Sequence, residues 1–331
     1  MSSRPESVHQ HMMLWSDRGT PDGYRFMHGF GSHTFKLVNK DNDYVYCKFH
    51  AISLQGIKNL SAREAEILAG KDPDYATRDL YNAIEAGEYP QWGFFIQVMT
   101  EDQAQKHRWN PFDLTKVWPH ADFPLLPVGR ITLNKNVTNF FGLIVPNTII
   151  AETEQVAFCP MHIVPGVDFS PDKMLLGRIF SYRDTAFHRV GTNHMQLPIN
   201  CPLRSEVNNI QRDGLMCLHS QGDTPAHHPN SFNGPKPAGD PECPFAVNAI
   251  VDRYESDEDD NYTQPRIFWE KNLDADHKQR FIENVSNGLC MAALPIQERV
   301  IQVFSNVHPD IGKGINTQLI KLRGMETQME S

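Results

Sequence analysis

Short stretches in which apolar and polar residues alternate dominate the first part of the chain. Residues 33–39 (HTFKLVN) and 43–51 (DYVYCKFHA) are rich in aromatic and β-branched residues and flank the polar turn KDN, which predicts a β-hairpin. Residues 92–100 (WGFFIQVMT) and 129–136 (GRITLNKN) have the same character and predict two further strands. The N-terminal part is therefore predicted to contain a β-sheet.

Two helices are predicted between these strands. Ser61, followed by Glu64, has the spacing of a capping box, which marks the start of a helix. Asp72 followed by Pro73 is typical of a second helix start with Asp72 as the N-cap, and Gly87 is typical of its end. Strands and helices mixed in this way predict an α+β fold.

The pattern changes after residue 142. From 143 to 273 the periodicity fades, and prolines and short polar stretches dominate. Such a long stretch without regular structure is unusual inside a compact domain, so we expect an extended segment that wraps over other parts of the fold or over a partner subunit. Helical spacing returns from 274 to 331. We therefore divide the chain into domains 1–142, 143–273 and 274–331.

Two helices are predicted in the C-terminal region. Asp274 is the expected N-cap of the first helix, and apolar residues then recur at helical intervals. The residues on these apolar faces are Phe281, Ile282, Val285 and Leu289 in the first helix, and Ile296, Val300, Phe304 and Val307 in the second. The acidic run 255–261 (ESDEDDN) is typical of a solvated loop.

Composition and charge narrow the functional classes. The chain has 331 residues, of which 40% are hydrophobic and 21% charged, and its net charge is −9, as is typical of soluble globular proteins. The acidic balance argues against nucleic-acid or anionic-membrane partners, and no apolar run approaches the ~20 residues of a membrane span. The six cysteines form no CxxC pair, so free buried thiols are expected.

The residues with the clearest chemistry lie between 177 and 193 (GRIFSYRDTAFHRVGTN). Tyr182 follows Arg178 by four residues, so the two side chains share a face if this stretch is helical. A phenol ionises at about pH 10, and a nearby guanidinium favours the phenolate, which is a suitable ligand for ferric iron. On the residues alone, an ordinary Arg/Tyr pair on a surface helix is the simpler interpretation.

A longer series of motifs points to a known family. The stretch RIFSYRDT (178–185) resembles the proximal heme motif of the monofunctional heme catalases, in which a tyrosine binds the iron. Further motifs in the family's order are RPES, SDRGTPDGYR, GSHTFKLVN, YCKFH, QGIKNL, DPDYATRDLYNAI, IQVMT, NPFDLTKVWPH, PVG, SPDKML and PNSF. The chain is therefore identified as a member of this family, in its clade of small-subunit, NADPH-binding animal-type catalases. The resemblance implies part of an antiparallel β-barrel, followed by a wrapping segment that carries the proximal heme helix and a C-terminal helical region.

The resemblance assigns roles around a heme b group. Tyr182 is implied as the axial ligand of the iron, and Arg178 as the donor of a hydrogen bond to its oxygen. His33 is implied to contact Arg178, and Asp172 to pair with His33. Together Arg178, His33 and Asp172 form the implied catalytic relay on the proximal side. Arg189 is implied to lie near the heme.

The resemblance also implies a surface site for NADPH. The positions that match it are His9, Ser16, Arg18, His50, Trp118 and His120. Arg18 is suited to a phosphate, and an indole or imidazole is suited to stacking on adenine. Three positions depart from the family, namely His28, Phe30 and Ile52, and the last replaces a common lysine, which is expected to weaken NADPH binding. If that binding is lost, these residues serve packing alone.

The implied activity is the dismutation of hydrogen peroxide to water and dioxygen by a homotetramer, in the peroxisome or the cytoplasm. No Ser-Lys-Leu type signal is seen at the C-terminus. The family's distal histidine and asparagine lie before the RPES motif, and no matching segment is seen, so the chain is expected to be N-terminally truncated. The alternative is an inactive catalase-like protein that retains at most heme or nucleotide binding. Residues 142–150 (GLIVPNTII) are expected to be an insertion or a gene-model artefact.

Overall fold

The computed structural model describes residues 2–136, 155–200, 209, 211, 213–219, 222–234 and 255–329, with side chains described up to residue 324. The strands are β1 (Gly29–Phe30), β2 (Phe35–Val38), β3 (Tyr44–Ser53), β4 (Gln91–Met99), β5 (Leu126–Thr132) and β6 (Val167–Phe169). The α-helices are α1 (Val8–Trp15), α2 (Ala62–Lys71), α3 (Tyr75–Glu85), α4 (Glu101–Lys106), α5 (Lys173–Arg189), α6 (Thr263–Ile267), α7 (Ala275–Leu289), α8 (Leu294–Val307) and α9 (Pro309–Met329). This mixture confirms the predicted α+β class.

The strands form one curled antiparallel sheet with the order β5-β4-β3-β2-β6, and β1 pairs with β3. The hairpin predicted at residues 33–51 is confirmed, because β2 and β3 pair in a register that joins Phe35 to Cys47. The strand predicted at 129–136 is present, but it begins three residues earlier, at Leu126. β1 and β6 were not predicted, since two or three residues are too few to show an alternating pattern.

The two faces of the sheet have different surroundings. Tyr46, Lys48 and His50 of β3 point to one face, which we call the covered face because the segment 109–123 packs over it. Phe49, which alternates with them, points to the opposite face, where its ring stacks with that of Phe94 at 5.8 Å between centroids. The polar residues of β3 are therefore buried between the sheet and a loop.

The helices between β3 and β4 follow the predicted caps only in part. The capping box at Ser61 is confirmed, since its side chain accepts a hydrogen bond from the backbone of Glu64 and the Glu64 carboxylate accepts from the backbone of Ser61. The prediction that Asp72 caps the next helix is wrong, because Asp74 is the N-cap of α3 and Asp72 ends α2. The carboxylate of Asp72 is instead held by the guanidinium of Arg78 at 3.0 and 3.2 Å.

The main hydrophobic core lies among α1 and the C-terminal helices α7, α8 and α9. Phe281 of α7 and Phe304 of α8 are fully buried there, and their rings meet edge to face at 5.8 Å. Asp274 caps α7 as predicted, accepting a hydrogen bond of 2.8 Å from the backbone of His277. The N-terminal helix α1 thus completes the core of the C-terminal region, and β6 from the middle of the chain completes the sheet. The three predicted domain limits stay a prediction.

Several other expectations concern single features. The described cysteines, Cys47, Cys159, Cys217 and Cys290, are free thiols, whereas Cys201 and Cys243 lie outside the described residues, as does the stretch 142–150. Of the helices in the described ranges, none has both the length and the apolar character needed to cross a membrane. Inside the segment predicted to be extended, the 17-residue helix α5 is the longest regular element among the described residues.

Candidate functional site

The candidate site is built on helix α5. The helix begins after Asp172, whose Oδ1 accepts a hydrogen bond of 3.0 Å from the backbone of Leu175 as an N-cap. Arg178 and Tyr182 are four residues apart, and Arg189 follows seven residues later, so the helical repeat places these three on one face. The cap fixes where the helix begins, and residues 178–189 lie within its regular part.

Arg178 and Tyr182 are in direct contact. The guanidinium carbon of Arg178 lies 4.7 Å from the centroid of the Tyr182 ring, which is a cation–π contact. The guanidinium therefore lies over the ring face, and Tyr182 remains 40% exposed. This contact puts a permanent positive charge beside the phenol and leaves the side chain accessible. Within the described ranges no hydrogen bond joins Arg178 to the Tyr182 oxygen, so the implied role of Arg178 as a donor to that oxygen stays a prediction.

His33 and Asp172 form the second half of the candidate site. Nδ1 of His33 lies 2.8 Å from Oδ2 of Asp172, and since a carboxylate only accepts, the imidazole N–H donates. The Asp172 side chain is 1% exposed and that of His33 is 10% exposed. The hydroxyl of Ser170 donates to the carbonyl of Thr34, which ties the start of β2 to the start of α5. The structure thus brings His33 and Asp172 together in a buried position.

The structure does not join all the predicted residues to one another. Within the described ranges, no hydrogen bond or ion pair links Arg178 to His33 or Asp172. Arg189 is exposed, and its guanidinium donates to the carbonyl of Val156 at 2.6 Å. The arrangement is therefore two separate pairs: Arg178 with Tyr182 on helix α5, and His33, which precedes β2, with Asp172, the N-cap of that helix.

The residues of α5 fit a heme group. A heme is a flat, largely apolar ring with two carboxylates at its edge and an iron that accepts a phenolate oxygen. The helix face offers the partly exposed Tyr182 as the oxygen ligand, exposed Met174 as an apolar contact, and Arg178 and Arg189 as cations. No cluster of three or more His, Cys, Asp or Glu side chains in the described ranges is arranged to hold a metal ion.

Some of the residues predicted to bind NADPH also meet around the ring of Phe268. The centroids of the His9 and Phe268 rings are 6.2 Å apart, and the guanidinium carbon of Arg18 lies 5.7 Å from the Phe268 centroid. Burial lowers the pKa of His9 to about 4, with smaller contributions from the positive charges of Lys116 and Arg18. His9 is therefore neutral, whereas Arg18 is exposed and charged.

A second group of the predicted NADPH residues surrounds His50. Its ring lies 6.4 Å from that of exposed His120, and its Nε2–H donates to Oε1 of Gln97 at 2.9 Å. Burial lowers the pKa of His50, so the ring is neutral, and its Nδ1 is a buried acceptor without a hydrogen-bond donor in the described part of the chain. Trp118 is 2% exposed and donates to the carbonyl of Pro111 at 3.3 Å. The structure thus buries the Trp118 indole and leaves His120 accessible.

Ser16 has a local structural role in this region. Its hydroxyl donates to the carbonyl of Met13 at 2.7 Å, and its side chain caps the short turn that follows α1. Ser16 is buried, so among the six predicted positions only Arg18 and His120 are exposed.

Two residues that the sequence marked only as departures also belong to this surface. The rings of His28 and Phe30 meet at 5.8 Å, and those of Phe30 and His50 at 5.6 Å, which connects His28 to the His50 group. The Nδ1 of His28 accepts a hydrogen bond of 3.0 Å from the backbone of Ser53, which leaves Nε2–H as a donor in the neutral ring. Arg18 is near enough to His28 for its charge to add to the effect of burial, the larger cause, in lowering the pKa of His28. We call the residues Arg18, His28, Phe30, His50 and His120 the histidine surface.

Comparison with known proteins identifies the family of the chain. Residues 1–234 match the family model described as Catalase, and residues 255–319 match the one described as Catalase-related immune-responsive. The chain belongs to the catalase family. This catalase-family chain is 54% identical to Catalase-2 of Caenorhabditis elegans over 318 residues. The matched region covers 96% of the chain and 62% of the relative. It is 51% identical over 317 residues to catalase of Rattus norvegicus, covering 95% of the chain and 58% of the relative. It thus spans about three fifths of the length of these catalases.

Solved catalase structures have the same fold. A fungal catalase is 36% identical and superposes with a TM-score of 0.83, covering 96% of this chain and 64% of that one. Catalase A from Saccharomyces cerevisiae gives a TM-score of 0.84 at 36% identity, covering 95% and 64%. The implied portion of an antiparallel catalase barrel is therefore confirmed as the fold of this chain.

Proposed function

We propose that this chain takes part in the dismutation of hydrogen peroxide to water and dioxygen, with Tyr182 as the proximal ligand of a heme. The observation that carries this proposal is the Arg178–Tyr182 contact on a helix whose N-cap, Asp172, also pairs with His33. Identity above 50% to animal catalases supports the same reaction. An accessible phenol beside a guanidinium is suited to bind a metal ion, so we prefer this role for Tyr182 to that of an ordinary surface residue.

Each residue has a proposed task at the heme. Tyr182 would supply the oxygen ligand, and the charge of Arg178 favours its phenolate form. Arg189 and exposed Met174 would contact the ring and its carboxylates. When bound, the heme iron supplies the two-electron redox chemistry by which two hydrogen peroxide molecules become two waters and one dioxygen. The buried His33–Asp172 pair fixes the start of α5 and hence the direction in which Tyr182 points.

Oxygen evolution from hydrogen peroxide tests this function. We expect the hemin-loaded chain to release dioxygen, and Tyr182→Phe to abolish most of that release because phenylalanine offers no oxygen ligand. Tyr81→Phe is the matched control, since Tyr81 is 46% exposed on α3 and lies outside the site. Equal release by Tyr182→Phe and wild type would show that the activity does not depend on the proposed ligand.

We infer that the histidine surface and neighbouring His9 bind NADPH. The support is a charged Arg18 suited to a phosphate, and exposed rings of Phe30 and His120 suited to an adenine. The Nε2–H of His28 is a further donor. A titration that follows NADPH fluorescence tests this inference, with Arg18→Gln expected to weaken binding and unchanged affinity contradicting it.

We also propose the assembly and compartment that the family implies, namely a homotetramer in the peroxisome or the cytoplasm. The absence of a membrane-spanning helix from the described ranges agrees with either compartment. Light scattering of the purified chain measures the assembly, and a mass other than four chains would contradict the tetramer. Imaging of the tagged chain in cells distinguishes the two compartments.

A further inference from the structure

Lys48 is a buried cation in the middle of strand β3. It is 3% exposed, and burying a charge costs several kcal/mol unless other groups compensate it. Its Nζ donates to the carbonyl of Lys116 at 3.4 Å and lies 5.1 Å from the centroid of the Trp118 ring. Within the described ranges these are its direct contacts, and neither is with a carboxylate. The charge of Lys48 is therefore left to interact over longer distances.

The strand register places Lys48 opposite Thr34, the residue that follows His33 in the chain. Phe35 pairs with Cys47, so continuing the antiparallel register by one residue puts Thr34 opposite Lys48 on the covered face. The Thr34 hydroxyl and the Trp118 indole both donate to the carbonyl of Pro111, at 2.8 and 3.3 Å. Lys48, Thr34 and Trp118 thus belong to one buried cluster.

The same cluster extends to Asp172 through Thr34. The carbonyl of Thr34 accepts a hydrogen bond from the hydroxyl of Ser170, which in turn accepts one from the backbone of Asp172 at 3.3 Å. His33, the residue before Thr34, is the one that pairs with the Asp172 carboxylate. The hydrogen bonds of Thr34 and Ser170 thus place Lys48 and the His33–Asp172 pair in one buried cluster.

We propose that Lys48 is a positioning residue that controls, through its own charge, how strongly Asp172 holds the proton of His33. When Lys48 is charged, its positive charge partly offsets the negative electrostatic potential that Asp172 produces at His33. When Lys48 is neutral, Asp172 attracts the N–H of His33 more strongly, and the pair at the start of α5 becomes tighter. The catalytic importance of this control rests on the proposed heme function of α5.

The titration of Lys48 supports this assignment. Burial lowers the pKa of Lys48 to about 8, while the carboxylates of Asp172 and Asp113 act in the opposite direction. Among the described residues, the charge of Lys48 also acts on two histidines, His50 on its own strand and His107 just before the covering segment. Burial lowers the pKa of both histidines, so they are neutral near pH 8 and leave Lys48 as the group whose charge changes there.

Nuclear magnetic resonance of the full-length chain without heme tests the proposal. We expect the Cε1–H resonance of His33 to show a step centred near pH 8, caused by deprotonation of Lys48. Lys48→Met removes the charge and should abolish this step. Lys36→Met is the matched control, because Lys36 is also buried in the sheet but lies 3.5 Å from Asp168, and it should keep the step. A step that survives in Lys48→Met overturns the proposal.

A second measurement follows Lys48 itself. In the wild type its side-chain resonances should titrate near pH 8, and Asp172→Asn should lower this pKa because the attraction of the carboxylate is lost. Asp168→Asn, which removes a carboxylate paired to Lys36, should leave it unchanged. If a methionine variant does not fold, the presence or absence of the His33 step in the wild type still decides. Failure of the chain to bind hemin would overturn only the heme function, whereas a missing step would overturn only the role of Lys48.

Discussion

At the residue scale, the proposed chemistry depends on three positive charges that the fold holds in defined surroundings. Arg178 is positioned over Tyr182, Arg18 lies beside the neutral His9, and Lys48 is buried near Asp172. The motif around Tyr182 predicted the first of these contacts from spacing alone. Lys48 could not be found in this way, because a lysine in an alternating strand is normally expected to point to solvent. Only the register of the sheet and the loop over its covered face reveal that it is buried.

The burial of His9 has a consequence for stability at low pH. Its pKa falls from 6.5 to about 4 on folding, so the unfolded chain binds the proton more readily between these values. This contribution to stability is fully present above pH 6.5 and is lost as the pH falls towards 4, by about 3 kcal/mol. Chemical unfolding of wild type and His9→Gln over this range measures it. The variant should lose less stability on acidification, and parallel curves would show that His9 stays accessible to protons.

At the element scale, α5 depends on its N-cap. Asp172 both caps the helix and pairs with His33, so one carboxylate fixes the helix start and its link to β2. The motif SPDKML suggested the family role of Asp172 but gave no indication that it is a cap. By contrast, the caps of Ser61 and Asp274 were predictable because capping depends only on nearby residues. The predicted cap at Asp72 was wrong because the Arg78 guanidinium holds that carboxylate.

The two tasks of Asp172 can be separated by substitution. Asp172→Ala removes both the cap and the partner of His33, and should reduce the free energy of unfolding by about 2 to 4 kcal/mol. Asp172→Asn keeps a good N-cap and should be less destabilising. Urea unfolding followed by circular dichroism measures both variants. Equal losses would mean that the two tasks cannot be distinguished by removing the charge.

At the scale of the whole molecule, distant parts of the chain complete one another. Helix α1 packs against the C-terminal helices, and Asp17 just after it accepts hydrogen bonds of 3.1 and 2.7 Å from Arg280 of α7. β6 joins the sheet beside β2, next to the start of α5. The sequence pattern predicted most of the larger elements but not these contacts, since periodicity shows which face is apolar and not which element covers it. The family resemblance, rather than the sequence pattern, indicated the overall fold in which these distant parts meet.

The most direct test of the central claim is the binding of hemin to the purified chain. Titration in the Soret region should show one heme per chain, with a spectrum that depends on the Tyr182 oxygen. In Tyr182→Phe that spectrum should change, and the affinity should fall by at least about tenfold, equivalent to about 1.4 kcal/mol. Tyr81→Phe should match the wild type. An unchanged spectrum and affinity in Tyr182→Phe would contradict the proposal that this phenol binds the iron.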